Sequence, residues 1–412
     1  MNNEMETENG SGRSRSYLIG LMAFLCIATF CEGYDFFVIS LVIEPLSREF
    51  NCEIKNVLYT LAVINGGAML GFFLVRLGDK IGRKAILITG VFGYGALSLL
   101  TALSPSMQYY LVMQLLAKSF LVTEFGTAIV IVIEEYPARI RATCVALLEV
   151  AGGLGGGAAL LIGGKIIPAY GWKMMYWLGG APILLVPALL FYVKETKHFE
   201  MIKSGSIEKQ PSLWHIWTTP SRKFVILVGA IWFLGYLSYA GIIYHWIVFA
   251  EVEREWSVEK VGPIMMIASI VGMSGYVVSG ILMDILGRKI TGLIFFMCSA
   301  VSLIWAFTSS GPMMIPSVVA AMFFIFAILP ITSTYNAELF PTAMRSNATA
   351  WCNSLLGRPA QIVAPFLVAT LSTEVGGIGN AVCILALGPF LAALLIWFTL
   401  PETKGINLGK VH

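Results

Sequence analysis

Twelve apolar stretches, each about as long as a bilayer is thick, leave this chain very few ways to fold. A hydrocarbon core of about 30 Å takes roughly 20 apolar residues in helix to cross. Inside it, every backbone polar group must find its partner within the protein. The stretches run over 17–43, 57–76, 85–103, 108–133, 143–166 and 174–193, then 224–250, 260–283, 290–309, 313–335, 347–371 and 378–400. Only 12% of the residues are charged, against about 25% in soluble domains. The expected fold class is therefore an all-α membrane protein with 12 transmembrane helices. A nucleic-acid-binding role is excluded, and the lipid bilayer is the first expected partner.

Three short charge clusters each occur twice, in the same order. Asp79-Lys80-Ile81-Gly82-Arg83-Lys84 returns 205 residues later as Asp284-Ile285-Leu286-Gly287-Arg288-Lys289. Glu134-x-x-Pro137-x-x-x-Arg141 returns after 204 residues as Glu338-x-x-Pro341-x-x-x-Arg345. Glu195-Thr196-Lys197 returns after 207 as Glu402-Thr403-Lys404. A shared period of this size implies a duplicated unit, as in transporters built from two like halves. The expected organisation is a tail at 1–16, a six-helix bundle at 17–193, a polar connection at 194–223, a second six-helix bundle at 224–400 and a tail at 401–412. The first sixteen residues lack a signal-peptide pattern, so that tail is expected to stay.

Lys and Arg set the orientation. With the amino terminus in the cytosol, 19 of the 27 fall on cytosolic segments, 6 on external ones, and Lys118 and Arg358 lie inside helices. Both termini are thus expected in the cytosol, and all three repeated clusters on the cytosolic side of a cell membrane. The seven cysteines have neither CxxC nor Cys/His spacing, and they suit packing better than disulfides or metal binding. The four histidines lack metal-site spacing. No Gly-x-x-x-x-Gly-Lys-Ser/Thr loop is present, so neither ATP hydrolysis nor another enzyme activity is expected. The run Gly152-Gly153-Leu154-Gly155-Gly156-Gly157 has no strand before it, and close helix packing explains it better than dinucleotide binding.

Asp-x-x-Gly-Arg-Lys between the second and third helices of each half resembles the signature loop of the major facilitator superfamily. The Glu-x-x-Pro-x-x-x-Arg pair resembles a second signature, and Pro401-Glu402-Thr403-Lys404-Gly405 is similar to the close of its sugar-porter branch. The resemblance runs from Tyr17 to Gly405, although Val75 stands where the first loop usually has glycine and Gly280 keeps it. It implies two pseudo-symmetric six-helix bundles in the major facilitator fold, a site at the midplane between them, and secondary transport by a monomer. It also implies a conformational latch on the cytosolic face: Asp79, Gly82, Arg83, Glu134, Arg141, Asp284, Gly287, Arg288, Glu338, Arg345 and Glu402. On physical grounds the two glycines permit a tight turn, Asp79 can accept hydrogen bonds at a helix start, and Arg83 can pair bidentately with Glu134. Breaking such pairs as the halves rock apart would bias the equilibrium between open states. A plain solvated, positively charged loop is the competing reading.

Ionisable groups at mid-membrane cost roughly 2.5–3.5 kcal/mol each on insertion scales, so each needs a reason. Glu32 and Asp35 share one face of the first helix, and two close carboxylates suit a proton-coupling site. Gly33-Tyr34-Asp35 resembles the first-helix motif of proton-coupled sugar porters and aromatic-acid symporters, whose Asp takes the proton. A structural carboxylate is the alternative. In the fourth helix, Gln114 stands where relatives carry Arg, Lys118 one turn on could supply the missing charge, and Glu124 matches an acid of the organic-acid members. Arg358 resembles the eleventh-helix arginine of organic-anion symporters. It could hold a carboxylate or form an internal salt bridge. Tyr239, Tyr335, Asn336 and Gln361 complete the candidate substrate site. The expected cargo is a small organic anion, an aromatic, carboxylic or sugar acid, moved with protons. No cofactor is expected beyond the proton gradient. A neutral sugar or polyol carrier, or a transporter-like sensor, remain as alternatives.

Overall fold

The computed structural model describes residues 13–204, 212–341 and 344–404. Most of the amino-terminal tail, the centre of the long connection and the carboxyl-terminal tail with Gly405 lie outside them. Among the described residues there is no strand, and twelve helices are long and apolar enough to cross a membrane. They are α1 (Arg15–Leu41), α2 (Ile54–Ile81), α3 (Arg83–Ala102), α4 (Met107–Glu135), α5 (Thr143–Tyr170), α6 (Lys173–Tyr192), α7 (Arg222–Val252), α8 (Val258–Leu286), α9 (Arg288–Thr308), α10 (Gly311–Glu338), α11 (Arg345–Leu371) and α12 (Ile378–Thr399). Every expected span is present. Several run about a turn further than the apolar stretch, as α5 does in ending at Tyr170. Backbone pairing continues into the headgroup layer, where water and phosphate can solvate the charged side chains.

The chain divides into two compact units: Met1–Ile39 with Ile64–Lys209, and Ser40–Val63 with Gln210–His412. This differs from the sequence division in one place. Residues 40–63 sit early in the chain but group with the second unit, where the short helix Ile43–Glu49 packs on α7. There Tyr59 also bonds Thr370 (Oη to Oγ1, 3.1 Å) and packs its ring on Phe366.

The internal duplication is visible in the packing. In the first unit α4 packs on both α2 and α3, and in the second α10 packs on both α8 and α9. The first core is built of Leu21 and Leu25 (α1), Leu87 and Val91 (α3), Leu121 (α4) and Leu148 (α5). The glycine run of α5 lies against α1. A Cβ on Gly155 would fall 1.8 Å from the Phe30 carbonyl oxygen, and one on Gly33 would fall 1.9 Å from that of Gly152. The two backbones touch, so only glycine fits at this crossing. All seven cysteines are free.

Candidate functional site

The first unit gathers four of the charges expected in the membrane. Asp35 is buried, and Ser98 of α3 donates to its Oδ1 at 3.3 Å. The same hydroxyl lies 3.1 Å from the Tyr176 carbonyl oxygen. A single hydroxyl proton thus stands between two acceptors, the Asp35 carboxyl group and the Tyr176 carbonyl. A Cβ on Gly179 of α6 would come within 2.9 Å of Asp35 Oδ1 and 2.6 Å of Ser98 Oγ, so the bare glycine shapes this recess. Lys118 is the cation acting on Asp35. Its Nζ stands 4.0 Å from the centroid of the Phe36 ring, a cation–π geometry.

Glu32 and Asp35, expected as one carboxylate pair, have different neighbours. Asp35 faces α3 and α6, whereas Glu32 faces Gly152 of α5, and the acid whose field Glu32 shares is Glu124. Residues three apart on a helix are splayed by about 60°, and here each carboxylate follows a different neighbour. Glu124 is fully buried, and neither of its oxygens has a hydrogen-bond partner among the described residues. Gln114 donates from Nε2 to Thr101 Oγ1 at 2.9 Å, which ties its amide to α3.

The second unit holds the rest. Arg358 sits at a break in α11. Residues Ala350–Gly357 form a π-helix, the Arg358 N–H donates to the Asn353 carbonyl at 2.9 Å, and Pro359 follows. Its buried Nε has no acceptor among the described residues. Gln361, one turn on, donates its backbone N–H to the Arg358 carbonyl at 2.8 Å. Tyr239 is half-buried, edge-on to Tyr236 at 5.9 Å. Tyr335 and Asn336 are buried, and neither the Tyr335 hydroxyl nor the Asn336 amide has a partner among the described residues. The charges acting on Tyr335 are Glu402, Glu338 and Arg288, so it stands beside the second repeated cluster.

The repeated clusters build two copies of one arrangement. In the first, Arg83 pairs with Glu134 (Nη2 to Oε1 2.8 Å, Nε to Oε2 3.1 Å), with Asp79 (2.9 Å) and with the Gly78 carbonyl (2.6 Å). Glu195 accepts the backbone N–H of Arg83 at 2.8 Å, capping α3, and Thr196 donates to Glu134 at 2.5 Å. In the second, Arg288 pairs with Glu338 (2.8 Å) and Asp284 (3.3 Å), Glu402 caps α9 through the N–H groups of Arg288 and Lys289, and Thr403 bonds Glu338. Gly82 and Gly287 turn the chain at φ of 105° and 92°, a region that a side chain strains.

Two expectations change here. Asp79 lies at the end of α2, not at a helix start, and acts through Arg83. Every one of these bonds is internal to one unit, so they brace helix ends within each half. Arg141 takes no part, since its Nη2 donates to the Tyr136 carbonyl at 3.2 Å.

The family model of the major facilitator superfamily matches residues 25–365. The chain belongs to the major facilitator superfamily. It is a multi-pass transporter, not an enzyme. Over 377 residues it is 24% identical to the niacin transporter NiaP of Acinetobacter baylyi, covering 84% of this chain and 85% of that protein. It is 23% identical to the cis,cis-muconate transport protein of the same organism, covering 91% and 92%. Among solved structures, a D-xylose-proton symporter superposes with a TM-score of 0.75 at 20% identity, covering 95% of this chain and 99% of that one.

In this facilitator, sequence reasoning passed over Ser98, Phe36, Gly179 and Asn353. A serine or a glycine in an apolar helix carries no signal by itself, since both are common packing residues there. Glu195 was visible as part of a repeated cluster, and its spacing to Glu402 could have identified it as a cap.

Proposed function

We propose that this facilitator moves a small organic acid together with protons, across a cell membrane with both termini cytosolic. The observation that carries the reading is the arrangement around Asp35: a buried carboxylate sharing one hydroxyl proton with a carbonyl, beside a buried lysine resting on a phenyl ring. Away from their ends, α1 and α4 carry three carboxyl groups, Glu32, Asp35 and Glu124, and one ammonium, Lys118. Charge inside a membrane is expensive, so protonating one of these carboxyl groups lowers the cost of the set. A substrate carboxylate on Lys118 or Arg358 would add negative charge and raise that cost, which links anion binding to proton binding. The relatives named for niacin and cis,cis-muconate, both carboxylic acids, support an acid as cargo.

The test uses the purified protein in proteoliposomes with an imposed inward proton gradient, offering labelled carboxylates beside neutral sugars. Arg358→Ala should lose acid uptake. Asp35→Asn should keep exchange yet lose uphill accumulation. Uphill accumulation retained in Asp35→Asn removes the coupling role, and uptake of sugars alone removes the acid.

A further inference from the structure

Trp351 stands at the start of the π segment of α11, and the end of the long connection holds it there. Its indole N–H donates to the Leu213 carbonyl at 2.9 Å. One turn earlier, the Asn347 amide donates to the Ser212 carbonyl at 3.2 Å. Trp214 and Trp217 stand edge-on to the Trp351 ring, with centroids 4.9 and 5.0 Å away. Residues 212–217 are thus clipped onto two consecutive turns of α11. The far part of the segment is fixed separately, by α7. The Tyr236 phenol donates to Asn353 Oδ1 at 3.1 Å, and a Cβ on Gly357 would fall 2.8 Å from Trp232 Cβ.

Most π-helices are single turns, and they occur often at functional sites. Pro359 accounts for a break here, since it has no N–H to donate and its ring would clash with the Leu355 carbonyl of a regular helix. It does not account for a π segment as long as Ala350–Gly357. Each residue advances an α-helix by about 100°. Relaxing the segment into α geometry would therefore turn Arg358 to a different direction relative to Trp351. We propose that Trp351 is a positioning residue: clipped to residues 212–217, it keeps α11 in its π register and so aims the Arg358 guanidinium. This rests on the organic-acid reading above, in which Arg358 holds the carboxylate. The register of residues 350–357 is the two-state element that such a coupling requires. The clip belongs to the chain that joins the two halves, so a shift of that chain during the cycle would reach Arg358 through Trp351.

Trp351→Phe keeps a ring and removes the N–H. Proteoliposome counterflow with labelled 3-pyridinecarboxylate or cis,cis-muconate, whichever wild type carries, tests it. KM should rise about three- to tenfold, the worth of one hydrogen bond, with kcat within about twofold of wild type. Trp214→Ala removes a side chain that is 66% exposed, should act in the same direction, and carries the test if Trp351→Phe fails to fold. In an Arg358→Lys background, Trp351→Phe should raise KM by about twofold or less, because a flexible ammonium tolerates a turned helix better than a planar fork does. Hydrogen exchange read by mass spectrometry reports the register without substrate. Amides of residues 350–358 should exchange about tenfold faster in Trp351→Phe than in wild type. Unchanged exchange overturns the clip. Faster exchange with an unchanged KM overturns the positioning role, as does an equal rise in KM with Arg358→Lys. Transport of neither acid by wild type counts against the organic-acid reading itself, and the exchange result still decides the clip.

Discussion

Arg83 offers a direct comparison, because two carboxylates hold the same guanidinium in very different surroundings. The Arg83 side chain is 6% exposed, Glu134 is 9% exposed and Asp79 is 62% exposed. Glu134→Ala strands a dehydrated guanidinium with a carbonyl and a solvated acid, which costs about 3–5 kcal/mol. Asp79→Ala removes a screened surface pair, worth about 0–1 kcal/mol. For a cooperative unit of this size, each kcal/mol moves the unfolding midpoint by roughly 2–4 °C. Glu134→Ala should then lower it by roughly 6–20 °C and Asp79→Ala by no more than roughly 4 °C. In a background that keeps Cys144 as its one cysteine, labelling of this buried thiol by a thiol-reactive dye gives the readout. All proteins must share one detergent and one heating rate, because membrane-protein unfolding is often irreversible. Arg83→Leu with Glu134→Leu removes both charges and should recover much of the loss. Equal shifts for Asp79→Ala and Glu134→Ala would refute the burial argument.

Two further outcomes follow from the geometry. Gly179→Ala should push its methyl against Asp35 Oδ1 and Ser98 Oγ, destabilising the first unit by about 1–3 kcal/mol. Proton-driven accumulation should weaken more than exchange, and unchanged accumulation would count against the recess. Glu402 loses some hydration, which raises its pKa, but four backbone N–H groups outweigh this and hold it below the usual glutamate value. Its contribution is thus present above the ordinary value of about 4.3 and is lost only as pH falls through the lower folded value. The midpoint difference between wild type and Glu402→Gln should hold from pH 7 to 5 and shrink below about pH 4. Shrinkage already between pH 7 and 5 would contradict that assignment.

The spans were legible because lipid permits so few backbone solutions that hydropathy alone locates them. The braces were legible because duplication printed Arg83, Glu134 and Arg288, Glu338 at one spacing. What they brace was not, since a spacing says nothing about whether an ion pair lies within a half or between halves. Helical periodicity correctly placed Glu32 and Asp35 near one face, yet it could not show that Gly179 and Ser98 draw one toward α3 and α6. The π-turn at Asn353 had no sequence signature beyond the following Pro359. On a regular α-helix Asn353 and Arg358 would lie about 140° apart, so helical periodicity offers no hint that they are linked.

The duplication also shows which features belong to the scaffold and which to the task. The braces repeat residue for residue, down to Thr196 and Thr403 on Glu134 and Glu338. The membrane charges do not repeat. The spacing that carries Asp79 to Asp284 puts Leu237 and Ala240 at the places of Glu32 and Asp35. The spacing that carries Glu134 to Glu338 puts Met322 and Ile328 at those of Lys118 and Glu124, and Leu154 opposite Arg358. A charge needed only to hold the fold would be wanted in both halves, as the braces are. Each of these costs membrane stability in one half alone, which fits a division of labour. The first half carries the carboxyl groups able to take protons, and the second carries the guanidinium able to hold an acid. On that division, Asp35→Asn and Arg358→Ala should fail differently, the first in accumulation and the second in binding. Identical defects in the two variants would show that the division does not exist.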